Sequence, residues 1–163
     1  MRRKGITMLE ILIVIMVIAL MLTMMLLSFK SSEITARANN VITNMINISI
    51  AFTVAYAQNP ESFDVKKGTE HDLDYIAEYL DNLKAEEKSN YRLIYYDGSQ
   101  GKPDFKGWWV RYNLESDSGI RAELDERINM ESTLGILSYN SRIQYADTKN
   151  ITSGNKYLIR KAR

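Results

Sequence analysis

Glu10 is a carboxylate placed where a carboxylate is costly. It lies four residues into a segment that runs from Ile6 to Phe29 and is otherwise apolar apart from Thr7, Thr23 and Ser28. An ionised side chain deep in hydrocarbon costs about 3 kcal/mol, less near the interface, and such a group ordinarily has a partner. In low dielectric the natural partner is an opposite charge, because the attraction there is far stronger than in water. The plainer reading is a carboxylate tolerated at a membrane surface. That accounts for an isolated Glu10 but not for its company, a basic head of Arg2, Arg3 and Lys4 followed by Gly5, Ile6 and Thr7.

Other residues invite chemistry less strongly. His71 is the only histidine and stands among Glu70, Asp72 and Asp74, a set that suggests a metal ion. Acids at a helix start complement the helix dipole, and without a second histidine or any cysteine a transition-metal site lacks ligands, so a solvated helix start is the expectation. The absence of cysteine also removes disulfides and thiol nucleophiles. Turns around Asp97, Gln100 and Asp104, and around Glu115 and Asp117, offer oxygen ligands for calcium without EF-hand spacing. Neither a bound metal nor a cofactor is expected. Strand alternation makes Trp108 a core residue and leaves Trp109 as an aromatic surface candidate. Lys156, Arg160, Lys161 and Arg163 form a basic tail that reads as a solvated terminus, and nucleic acid is not an expected partner, because 21 basic against 20 acidic residues leave no basic groove to extend it. No nucleophile and base pair, phosphate loop or triad spacing is visible. The chain is not read as an enzyme.

The elements that must position Glu10 begin with the apolar run itself. Ile6 to Phe29 is 24 residues, which as a helix reaches about 36 Å and crosses a hydrocarbon core with some tilt. Arg2, Arg3 and Lys4 place the N-terminus in the cytoplasm and the body on the far side. An ordinary secretory signal has a shorter apolar core, roughly 7–15 residues, and ends in a small-residue cleavage step. Here the run ends in Leu26, Leu27, Ser28, Phe29 and Lys30. A plain signal anchor explains all of this except Gly5 and Glu10.

Beyond Lys30, Ile34, Ala38, Val41, Met45, Ile48, Phe52 and Ala55 step by four and three residues along one helical stripe, with Arg37, Asn40, Asn44 and Asn47 on a different face. A coiled coil is the alternative use of such a stripe. With no Gly or Pro from Ile6 through Asn59, one helix is predicted from Ile6 to about Gln58. A second amphipathic stretch follows at Leu73, Ile76, Leu80 and Leu83. An antiparallel pair with one buried face is predicted at Tyr91–Tyr96 and Trp108–Leu114, a brief helix at Ile120, Leu124 and Ile128, and further strands at Gly135–Tyr145 and Lys156–Arg160, the last largely buried. The fold class is α+β, a long N-terminal helix packed on a small antiparallel sheet.

Arg2-Arg3-Lys4-Gly5 followed by Ile6-Thr7-Met8-Leu9-Glu10 and an apolar run resembles the class III signal of type IV prepilins and type II secretion pseudopilins. The resemblance implies cleavage between Gly5 and Ile6 by a membrane-embedded prepilin peptidase and N-methylation of Ile6, with Glu10 required for assembly and Thr7 beside it in the same motif. It divides the chain into a leader at 1–5, a membrane and filament-core helix at 6–29, an amphipathic stalk at 30–58 and a globular head at 59–163. Cleavage would take three basic residues, leaving 18 against 20 acidic ones. The implied partners are the peptidase, like pilin subunits, an inner-membrane assembly platform and membrane lipid. The implied location is the cytoplasmic membrane as a single-pass protein with the head outside, and then a filament, as pseudopilin or minor pilin. Family members commonly carry Phe at the new terminus, where this chain has Ile6, and many major pilins have a helix-bending proline that is missing here. The expectation of a different class is an uncleaved, membrane-anchored extracytoplasmic binding domain.

Overall fold

The computed structural model describes residues 7–63, 70–80, 83–96, 106–130, 134–140, 142–145 and 155–162. Because no breaker interrupts it, a single helix, α1, spans Met8–Gln58, 51 residues and about 76 Å. It stops where the sequence places Pro60, which cannot supply a helical N–H. The N–H of Asn59 makes the last bond, to the Ala55 carbonyl at 2.9 Å.

The second half of α1 behaves as its stripe requires. Ala38, Val41, Met45, Ile48, Phe52 and Ala55 are buried, and Ile34 packs against them. They are covered by the molecule's own head, which takes this face in place of a coiled coil.

The head is built on one six-stranded sheet of β1 (Glu70–His71), β2 (Tyr91–Tyr96), β3 (Gly107–Asn113), β4 (Leu134–Asn140), β5 (Arg142–Tyr145) and β6 (Asn155–Lys161). The strand order is β1-β2-β3-β6-β4-β5 and every neighbouring pair is antiparallel. The last strand in the chain therefore sits centrally, against α1 together with β3. Leu93, Trp108, Val110, Tyr112 and Leu158 fill the space between sheet and helix, and the Phe52 ring lies 5.1 Å from Trp108. The short helix α2 (Ala85–Lys88) precedes β2. A 3-10 turn, Ser118–Ile120, leads into α3 (Arg121–Met130), and Ile120, Leu124 and Ile128 are buried as their spacing predicts. The α+β layout read from the sequence is the one observed.

Several local expectations need correction. The Leu73 region forms a 3-10 helix, Leu73–Tyr79, because its inward residues Leu73, Ile76 and Tyr79 step by three, the period of that helix. Leu80 and Leu83 lie beyond its end. The β2–β3 pair buries both faces rather than one. Ile94, Tyr96, Trp109 and Ile159 form a second cluster on the face away from α1, so Trp109, only 7 % exposed, is no surface aromatic. The Gly135–Tyr145 stretch holds two strands rather than one, β4 and β5, paired antiparallel with Leu137 opposite Tyr145 and Asn140 opposite Arg142. β6 also absorbs most of the basic tail: Arg160 is half-buried in a central strand, Lys161 is exposed at its end, and Arg163 lies outside the described residues.

Candidate functional site

The first half of α1 packs against no other element among the described residues. From Met8 to Phe29 every residue is exposed, and the large apolar side chains range from 45 % exposure at Val17 to 85 % at Met8. This is a segment long and apolar enough to cross a membrane, with none of it buried against the head. A surface of this kind must be covered by lipid or by other chains.

Glu10 occupies the first turn of this half and closes a capping box with Thr7. The Thr7 N–H donates to Glu10 Oε2 at 2.8 Å and the Thr7 hydroxyl donates to the same oxygen at 3.0 Å. In return the Glu10 N–H donates to Thr7 Oγ1 at 3.3 Å. The box satisfies donors that a helix start otherwise leaves unpaired. It supplies hydrogen bonds to the carboxylate and no full positive charge, and in hydrocarbon an opposite charge would add a strong further attraction. Arg2, Arg3, Lys4, Gly5 and Ile6 lie outside the described residues. The structure thus brings Thr7 and Glu10 together and leaves the junction undescribed.

The remaining sequence candidates resolve into structural roles. His71 is buried at 7 % exposure, not solvated, with its ring 5.1 Å from Tyr75, 5.4 Å from Trp108 and 6.3 Å from Phe63. Two of its acidic neighbours pair elsewhere: Asp72 with Arg92 at 3.0 Å and Glu70 with Arg111. Asp117 is also engaged, accepting from the Gly119 N–H at 3.1 Å and pairing with Arg37 at 2.9 Å. Asp97, Gln100 and Asp104 lie outside the described residues. Among the described residues no cluster of three or more His, Cys, Asp or Glu could hold a metal ion.

Two arrangements were missed in the sequence. Arg111, on β3, makes a bidentate pair with Glu70 on β1, Nη1 to Oε1 at 2.6 Å and Nη2 to Oε2 at 2.9 Å, and its guanidinium lies 4.2 Å from the Tyr157 ring centre. A cation at an alternating position of a central strand is the available signal, since burial there demands a partner. The second arrangement is the attachment of α1 at the edge of its stripe. Arg37 reaches Asp117, and Asn44 Nδ2 donates to Glu87 Oε2 at 3.1 Å and Tyr91 Oη at 3.4 Å. Polar residues flanking the apolar stripe by one position were the signal.

The chain matches no family model, no curated protein and no solved structure.

Proposed function

We propose that this protein is a structural subunit of a type IV pilus-like filament or secretion pseudopilus, a pseudopilin or minor pilin, cut between Gly5 and Ile6 by a prepilin peptidase and polymerised through the first half of α1. The observation that carries the reading is a wholly exposed apolar half-helix with a single carboxylate in its first turn. The head holds the second half of α1 rigidly and leaves the first half free, as a subunit that passes from a membrane into a helical core requires. Cleavage at the junction would leave a positive amine on Ile6 and preserve the Thr7 N–H, so the capping box survives processing. In the membrane the box holds Glu10 in position. In the filament the Ile6 amine of a neighbouring subunit supplies the charge that Thr7 lacks and sets the axial register of the entering helix.

Glu10→Leu tests the reading, because it removes a costly charge without touching the head. Membrane insertion is expected to equal or exceed that of the parent, cleavage to persist, and incorporation into sheared filaments or cross-linked pseudopili to fail. Normal incorporation of the variant would remove the physical reason for a filament role and return the chain to a membrane-anchored domain.

A further inference from the structure

A groove of about 450 Å³ lies between the second half of α1 and the end of the 3-10 helix with Leu80 and Leu83 beyond it. Asn47, Ile50 and Val54 form one wall, and Glu78, Leu80 and Leu83 form the other. Ile50 and Val54 are 58 % and 41 % exposed, so the floor is apolar and open although the helix beneath it is packed on the head. The far wall is held in place, because Ile76 is buried in the core and the Tyr79 hydroxyl donates to Gln58 Oε1 at 2.6 Å. Glu78 stands exposed at the rim and makes no ion pair among the described residues.

The chemistry of the groove selects an apolar helical face with a cation at one end. The chain carries such a face at Leu26, Leu27 and Phe29, exposed at 69 %, 68 % and 59 %, followed by Lys30, which is exposed and has no ion pair among the described residues. A subunit cannot supply it to itself. Leu27 and Ile50 lie on one uninterrupted helix, about 35 Å apart along its axis, so the occupant must come from another copy.

We propose that the groove receives the Leu26–Lys30 segment of a second copy of this chain, with Lys30 facing Glu78. The inference rests on the filament reading and names a surface on which subunits meet. The two surfaces in contact are different patches displaced along the same rod, which makes the contact heterologous. Repetition of a heterologous contact without closure extends into an open helical array. Groove and segment thus carry a stagger of their own, independent of Glu10.

The absence of cysteine from the sequence gives a clean background for the test. Full-length Leu27→Cys/Ile50→Cys, co-expressed with the assembly machinery and oxidised in intact cells, is expected to give a ladder of dimers, trimers and higher species. Neither single-cysteine variant should give a ladder beyond dimer. Glu78→Lys and Lys30→Glu are each expected to lower incorporation about fivefold, and the double reversal to restore it, which a folding defect would not do. Filaments that show no ladder and assemble normally with Glu78→Lys would overturn the docking, leave the filament reading intact and assign the groove to lipid or another partner. Failure of the parent chain to form filaments under the same conditions would overturn both.

Discussion

The two halves of α1 share one backbone and one hydrogen-bond ladder, yet they satisfy opposite demands. From Lys30 onward the helix is amphipathic, and its apolar stripe is buried by the sheet and by α3 of the same chain. From Met8 to Phe29 it is apolar apart from Glu10, Thr23 and Ser28, and it packs against nothing else among the described residues. A helix that buries one face shows a stripe, and a helix that is apolar all round is surrounded. The difference is one of cover: the second half packs on the head, and the first is exposed among the described residues. Glu10 lies in the first turn of the exposed half, where its hydrogen bonds to Thr7 are local.

The comparison breaks most visibly by division. A fragment beginning at Lys30 is expected to be soluble and monomeric and to unfold in one cooperative transition, because it retains the buried stripe and loses the exposed apolar surface. Aggregation or non-cooperative unfolding, measured by size exclusion and denaturant titration, would show that the first half contributes to the head. The next largest effect contrasts two truncations on the same helix. Phe52→Ala, which empties the space beside Trp108, Tyr56 and Phe63, should destabilise the head by about 3–5 kcal/mol. Leu22→Ala in the full chain should leave head unfolding unchanged within about 0.5 kcal/mol. Equal effects would contradict the division.

A smaller effect sharpens the description of the sheet. Burial pushes the hydroxyls of Tyr91, Tyr96 and Tyr112 above their ordinary pKa of 10.0, with the Asn44 hydrogen bond partly offsetting it at Tyr91 and Arg111 at Tyr96. These groups favour the proton more in the folded than in the unfolded head. Their contribution is therefore fully present below about pH 10 and is lost as pH rises beyond it. Head stability should fall from that point upward, and Tyr96→Phe should make the fall shallower. A decline already complete below pH 9 would place the cause elsewhere.

Much of this architecture was legible because it depends on local periodicity. The long helix followed from the lack of Gly and Pro, its buried stripe from three-and-four spacing, and β2 from its run of aromatic and branched residues. What was not legible depends on order in space. Trp109 reads as outward-facing if the sheet has one covered side, but β3 lies between β2 and β6 and both sides are filled. Arg160 reads as a terminal charge until the last strand is seen in the middle of the sheet. His71 sits beside acids in sequence and among aromatic rings in space. In the candidate site, the apolar run and Glu10 were evident; the spacing of Thr7 and Glu10 carried the signal of a capping box that went unread, whereas the groove beside Ile50 and Val54 needed the structure.

The central claim is that the first half of α1 belongs to an assembly entered by processing at its start. It is tested most directly by the intact mass and N-terminal peptide of the full chain after co-expression with a prepilin peptidase. The account predicts a chain that begins at Ile6 and carries a single methyl group on its terminal nitrogen. A chain that still begins at Met1, in cells where a control prepilin is fully processed, would contradict it.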